Sequence, residues 1–166
     1  MDAWHSWSET PIQERTAIFR RAAELLAGPW RNIVNAATML NQSKNVYQSE
    51  IDSACELIDF FNFNAQFAEE TCNKQPLISP KGVHNSMEYR AMEGFVFAVS
   101  PFNFTSIAGN LPTAPAIMGN VVLWKPASSS VYSAYFIMKL LQEAGLPDGI
   151  INFLPGIGKK IGTPAI

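Results

Sequence analysis

The spacing of apolar residues changes character near residue 94. Before it, hydrophobic positions recur at helical intervals. After it, short unbroken apolar runs alternate with helical stretches. Thr10-Pro11-Ile12-Gln13 reads as a capping box with proline at the first helical position, opening a helix that runs to Ala27 and stops at Gly28-Pro29. Ahead of it, Asp2 to Trp7 reads as the end of another helix. Trp30 to Asn41 and about Tyr47 to Glu70 follow as helices, the second with Ile51, Ala54, Cys55, Ile58, Phe61 and Ala65 on one face. From Gln75 to Gly94 the chain turns polar, and Met87, Tyr89 and Ala91 alternate with Ser86, Glu88 and Arg90, the pattern of a half-exposed strand reaching away from any sheet.

Beyond Gly94 the reading is strand, elbow, helix, strand, elbow, helix, strand. Phe95 to Ser100 is a short Val/Phe-rich run stopped by Pro101, whose ring removes the N–H a central strand needs. Leu111 to Gly119 has helical spacing, with Pro112 and Pro115 acceptable only near a first turn. Val121 to Trp124 is the second strand, closed by Lys125-Pro126. Ser128 to Ser130 supply N-cap candidates for a helix from Val131 to Ala144, ended by Gly145 and Pro147, and Ile150 to Leu154 is the third strand. Strands alternating with helices predict an α/β fold: a partial doubly wound, Rossmann-like parallel sheet, buried on both faces and preceded by a helical N-terminal segment.

At 166 residues and 48% hydrophobic content the chain can bury a core, yet three strands are few for a doubly wound sheet, so the expectation is an incomplete domain. Residues 1–75 are assigned to N-terminal helices, 76–94 to an extended strand for oligomer assembly, and 95–166 to the first βαβαβ part of a dinucleotide-binding domain. Residues 1–93 carry 12 acids against 8 bases, whereas residues 94–166 carry only Glu143 and Asp148 against four lysines. A mildly cationic sheet half suits an anionic cofactor and is far too weakly charged for nucleic acid. No apolar run reaches the roughly 20 residues of a membrane span, and no secretory or transit signal is visible at the N-terminus. His5 and His84 stand alone and the two cysteines have no C-x-x-C spacing, so no metal site is expected. Cys55 is expected to be a buried, inert thiol, and Cys72 lies near Lys74 without an activating base.

The chemistry concentrates at three strand exits: Ser100-Pro101-Phe102-Asn103, Lys125-Pro126-Ala127-Ser128 and Pro155-Gly156-Ile157-Gly158. In a parallel sheet they share one rim, where a lysine reaches a ribose or phosphate and an uncharged carboxamide donates to a developing oxyanion. Singly, each has a plain structural alternative: an Asx turn for Asn103, helix caps for the serines, a solvated strand end for Lys125. Gly156, Gly158 and Gly162 are one residue too widely spaced for the dinucleotide fingerprint, and no acid lies between Glu93 and Glu143 to hold a ribose. An ordinary Rossmann dehydrogenase or a methyltransferase therefore fits poorly.

Three stretches carry a family resemblance: E-I-D-S-A-C-E-L-I-D-F-F-N-F-N-A from Glu50 to Ala65, S-P-F-N-F-T from Ser100 to Thr105, and G-N-V-V-L-W-K-P-A from Gly119 to Ala127. With them the chain resembles the aldehyde dehydrogenase superfamily over nearly its whole length, and within it the 1-pyrroline-5-carboxylate (glutamate-semialdehyde) dehydrogenases of proline catabolism. The resemblance implies that Asn103 stabilises the oxyanion formed when a cysteine attacks an aldehyde. It implies that Ser100, Pro101, Phe102, Lys125, Ser128, Gly158 and Gly162 contact the cofactor, with Lys125 on the adenosine ribose, and that Phe104 lines the substrate channel. It further implies oxidation of glutamate 5-semialdehyde to glutamate, a small-molecule aldehyde partner, a homo-oligomer and the mitochondrial matrix.

NAD is the preferred cofactor by resemblance. NADP stays open, because many family members carry Glu where Ser128 stands, and its carboxylate would repel a 2′-phosphate. The family's catalytic cysteine, general-base glutamate and pyrophosphate turn fall beyond Ile166 by resemblance, so residues 1–166 alone are expected to be inactive. A non-catalytic fragment that binds nucleotide or docks on a full-length subunit is the alternative.

Overall fold

A computed structural model describes residues 2–166. Helices α1 (Asp2–Glu9), α2 (Ile12–Ala27) and α3 (Arg31–Gln42) lead into a single turn, α4 (Val46–Ser49), a π-helical segment (Glu50–Glu56) and α5 (Leu57–Asn73). After an irregular stretch come β1 (Val96–Val99), α6 (Thr105–Ile117), β2 (Val122–Lys125), a 3₁₀ turn (Ser128–Ser130), α7 (Val131–Glu143), β3 (Ile151–Phe153) and α8 (Gly158–Ala165). The three strands lie in the order β1-β2-β3, all parallel, with Val99 opposite Lys125 and Trp124 opposite Phe153.

That order explains where the core sits. Strand order that runs one way without reversal, joined by crossovers of one hand, lays both crossover helices on the same face. Val96, Ala98, Val122, Trp124, Ile151 and Phe153 share that face; Ala98, Val122, Trp124 and Ile151 belong to the core with Phe19, Leu26, Leu57, Phe61, Ile117, Ile137 and Leu140, and Val96 and Phe153 pack against it half-buried. On the other face Phe97, Leu123 and Asn152 are half-buried and Val99 is 52% exposed. The expectation of burial on both faces is therefore corrected: the second face is only partly covered, Lys125 at its exit being buried beside Gly158 of α8 while Val99 stays exposed.

Several local expectations change for identifiable reasons. The capping box at Thr10 does not form. Its hydroxyl donates to Ser6 O at 2.9 Å and its carbonyl is taken by the Arg15 guanidinium, leaving Pro11 at the N-cap without a side-chain bond. A capping box does open α4, where Asn45 and Gln48 exchange side-chain and backbone bonds. The π-helical segment, with its i→i+5 pattern, breaks the assumed face. It turns Asp52, Ser53 and Ala54 inward and leaves Ile51 and Cys55 exposed, so Cys55 is not the buried thiol expected.

Helix α6 begins at Thr105 rather than Leu111, which places Pro112 and Pro115 in its interior. It tolerates them because distant side chains hold its ends. The Asp52 carboxylate accepts from the Thr105 and Ser106 amides, both at 2.9 Å, and from the Ser106 hydroxyl at 2.7 Å. At the other end Arg15 Nε donates to Ile117 O and Trp7 Nε1 to Ala116 O, both at 2.8 Å. A carboxylate at the N-terminus and a guanidinium at the C-terminus match the helix dipole at both poles.

Residues 74–95 form no strand pair among the described residues. With no neighbouring strand to satisfy the backbone, side chains do it. Gln75 binds both the amide and the carbonyl of Met87, Asn85 ties to Ser79 and Ile78, and Met92 N donates to Asn120 Oδ1.

Two outcomes follow from the packing of α5. An ideal Cβ on Gly109 would lie 2.8 Å from Cδ1 of fully buried Leu57. Overpacking of about 1–3 kcal/mol outweighs the roughly 0.5–1 kcal/mol of helix propensity that alanine returns. Gly109→Ala is thus expected to lower unfolding stability by about 1 kcal/mol in a urea titration. Between α2 and α5, hydrogen bonds from Arg20 and then Thr16 hold the Glu69 carboxyl below the ordinary carboxylate range. A depressed carboxylate contributes near neutrality and loses that contribution as pH falls below the ordinary carboxylate range and through its lower folded value. Replacing Glu69 with Gln should flatten the acid side of a plot of urea midpoint against pH; an unaltered slope would show that the pair contributes nothing there.

Candidate functional site

The three exits do share one rim, and the centre segment is stitched to both neighbours. Ser130 Oγ donates to Phe102 O at 2.5 Å on the β1 side, and Ser128 Oγ donates to Gly156 O at 3.0 Å on the β3 side. Neither hydroxyl caps α7, contrary to the role expected from the triple serine. That helix start is fixed from α3 instead: Asn41 Oδ1 accepts from the Ser133 amide and hydroxyl, and Asn41 Nδ2 donates to Ser129 O.

Just past β1, Ser100 is buried, 3% exposed, and its hydroxyl accepts from Trp124 Nε1 at 2.9 Å. Its side chain therefore braces β2 from below the rim. Pro101 is half-buried and Phe102 is 64% exposed. Asn103 is exposed, and among the described residues its carboxamide makes no hydrogen bond, so no Asx turn forms. Its backbone is anchored, since Lys44 Nζ donates to Asn103 O at 2.6 Å and lies 4.6 Å from the centre of the Phe104 ring. A free amide on a tethered elbow is what an oxyanion donor requires, because it needs no proton of its own and has nothing to give up.

At the second exit Lys125 is 6% exposed, so it is no solvated strand end. Its ammonium donates to Pro126 O at 2.7 Å, which occupies one of three donors. An ideal Cβ on Gly158 would stand 3.7 Å from Lys125 Cε, so a larger side chain there would cover the ammonium stem. The bare glycine leaves that ledge open. Gly162 lies one turn further along α8, with nothing within 4 Å of its Cβ position. A buried lysine with donors to spare, an unprotected glycine and the exposed Ser128 suit a nucleotide lying along the rim.

Next to the elbow, Glu56, Asp59, Phe60, Phe63, Phe104 and Ile107 line an open groove of about 490 Å³. Its wall is aromatic and its rim carries two carboxylates, of which Glu56 also accepts from Ser106 Oγ at 2.9 Å. Lys44, Asp52 and Glu56 were not among the residues expected at the site. Asp52 and Glu56 lie within the Glu50 to Ala65 stretch, but their signal is only an acid on a small-residue face, and nothing local says that it meets the start of α6.

Comparison with known proteins decides the family. All of residues 1–166 match the family model described as "Aldehyde dehydrogenase family". The chain belongs to the aldehyde dehydrogenase family.

Within that family it is 51% identical over 166 residues to the Delta-1-pyrroline-5-carboxylate dehydrogenase of Agaricus bisporus, covering all of this chain and 30% of that protein. The mitochondrial Delta-1-pyrroline-5-carboxylate dehydrogenase of Bos taurus is 54% identical over 156 residues, 94% of this chain and 28% of that protein. A crystal structure of the Delta-pyrroline-5-carboxylate dehydrogenase from Mycobacterium tuberculosis matches at TM-score 0.96 and 56% identity, over 98% of this chain and 30% of that one. A structure of the same enzyme bound with NAD matches at TM-score 0.93 and 57% identity, over 95% and 29%. The chain thus spans about 30% of the length of these aldehyde dehydrogenase relatives.

The serine stitch can be tested directly. Ser130→Ala is expected to cost about 1 kcal/mol, as for one hydrogen bond. Hydrogen–deuterium exchange should show faster exchange over residues 100–106 with little change in α2 and α5. Uniform acceleration across the chain would mean that the bond holds the whole fold rather than the rim.

Proposed function

We propose that residues 1–166 supply the oxyanion donor and the nucleotide ledge of an NAD-dependent aldehyde dehydrogenase that oxidises L-glutamate 5-semialdehyde to glutamate in proline catabolism. One observation carries the reading: the Asn103 carboxamide stands unpartnered on an elbow whose backbone is anchored, at the end of the strand beside Lys125. As an aldehyde carbonyl becomes tetrahedral its oxygen gains negative charge, and a preorganised N–H donor stabilises that charge more than it stabilises the starting carbonyl. NAD, when bound, supplies the hydride acceptor.

Within this chain Lys125, Ser128, Gly158 and Gly162 hold the cofactor at the β2 and β3 exits, with Pro101 and Phe102 at the β1 exit. Ser100 acts beneath them through Trp124. Phe104 forms one wall of the substrate groove, and Glu56 and Asp59 give that groove carboxylates for the ammonium group of an amino-acid semialdehyde. The nucleophilic cysteine and general-base glutamate are not assigned to Cys55, Cys72 or any acid described here. By this reading residues 1–166 alone are inactive. The absence of a carboxylate at position 128 leaves NADP as a second acceptor to test. Residues 76–94 are proposed as an edge for assembly into a homo-oligomer, and the mitochondrial matrix is proposed from the naming of relatives such as that of Bos taurus.

The test grafts residues 1–166 into the Mycobacterium tuberculosis enzyme in place of its matching segment. The graft is expected to reduce NAD with glutamate semialdehyde, and Asn103→Ala to lower kcat by about 10²–10³-fold. Lys125→Met should raise the KM for NAD while leaving that for the aldehyde near its starting value. A folded graft that binds NAD but turns over no aldehyde would favour the alternative of a non-catalytic nucleotide-binding or docking segment.

A further inference from the structure

We propose that Lys44 and Asp52 form the positioning device for Asn103, an ion pair that fixes the point and bond from which its carboxamide projects by holding the backbone at and after it. The proposal rests on the reading of Asn103 as oxyanion donor. The pair is close, 2.6 Å from Lys44 Nζ to Asp52 Oδ2, and largely enclosed, with side chains 16% and 4% exposed.

The elbow is bracketed over five residues. Ser130 Oγ holds Phe102 O, Lys44 Nζ holds Asn103 O, and the Asp52 carboxylate holds the Thr105 and Ser106 amides. The Thr105 hydroxyl is fixed in turn by Thr38 and by Gln42 Nε2. Because the carboxamide itself has no partner, the place from which it projects, set by the Cα–Cβ bond of residue 103, depends on the backbone anchors before and after it.

A plain helix cap would need Asp52 alone. Lys44 does two things that a cap does not require: it neutralises the buried carboxylate, and it spends a second donor on the carbonyl of the residue whose side chain would do the chemistry. Its position over the Phe104 ring adds a third restraint on the same elbow. The π-helical segment fits this role, since its altered register turns Asp52 inward toward α6. Loss of the tether leaves Asn103 in place but free to turn, and misplacement of a reacting group by about 1 Å can cost about 100-fold in rate.

Lys44→Met and Lys44→Arg are compared in the graft described above, each with and without Asn103→Ala. Lys44→Met is expected to lower kcat about 10- to 100-fold, with the aldehyde KM within about twofold because a group acting only in the transition state is affected. Lys44→Arg should recover most of the loss. In the Asn103→Ala background Lys44→Met should cost nothing further, since two residues acting through one group are not additive. Losses that multiply would show that Lys44 supports the fold at large and would overturn the proposal. An Asn103→Ala loss beside an indifferent Lys44→Met sinks the positioning proposal alone, whereas an indifferent Asn103→Ala sinks the assignment of Asn103 and the proposal with it.

A second readout needs no activity. In the 166-residue chain, ¹⁵N relaxation at Asn103 should fall from a rigid order parameter of about 0.85 to below about 0.6 in Lys44→Met. An unchanged value overturns the proposal whatever the graft does.

Discussion

Helix α6 is the element on which the rest depends, and it is a poor helix by composition. It contains Gly109, Pro112 and Pro115 and opens with Thr105-Ser106. Each proline removes an intrahelical donor, and glycine gives up backbone entropy. What makes it helical is charge and hydrogen bonding delivered from far away in sequence: Asp52 at its N-terminus, Arg15 and Trp7 at its C-terminus. Within it, Thr113 donates to Gly109 O, and Asn120 turns back onto Pro115 O. The helix lies between the sheet and α5, with Gly109 allowing it to approach Leu57 closely. The elbow carrying Asn103 is the residue run immediately before it, so the polar clamp that builds the helix also holds that elbow.

The rim shows a second economy. A parallel sheet places its strand exits side by side, but loops leaving adjacent strands need not stay together. Here the β2 exit binds both neighbours through serine hydroxyls, and Trp124 reaches under the rim to Ser100. Serine hydroxyls that stand at the rim are used to hold its shape. Lys125 and Asn103 differ in this respect, since each keeps donors that nothing described here consumes. The rim thus holds both residues whose polar atoms shape it and residues whose donors stay free.

The clearest mismatches between sequence pattern and structure have one origin. At Asp52 and Cys55 a regular 3.6-residue period was assumed, and the π-helical segment altered it, burying an acid and exposing a thiol. At α6 the prolines taken alone call for a late start, and a carboxylate 53 residues away supplies an early one. At residues 76–94 the alternation of apolar and polar residues specifies a strand only where another strand lies beside it, and within this chain none does among the described residues. The Asx-turn and helix-cap alternatives at Asn103 and Ser128 to Ser130 fail for the same reason: they are local solutions, and longer-range partners satisfied the backbone first.

Much could be read from the amino-acid order alone: three apolar runs closed by Pro101, Lys125-Pro126 and Pro155, helices between them, and therefore a parallel sheet with its three polar exits on one rim. The short motifs were enough to indicate the aldehyde dehydrogenase family. These features are local or periodic, and sequence records such information directly. Which face of the sheet is covered, where α6 begins, and that Lys44 and Asp52 meet at the elbow of Asn103 were settled only on folding. A carboxylate carries no mark of the amide it will accept from, so its role is set by packing that brings together positions some fifty residues apart.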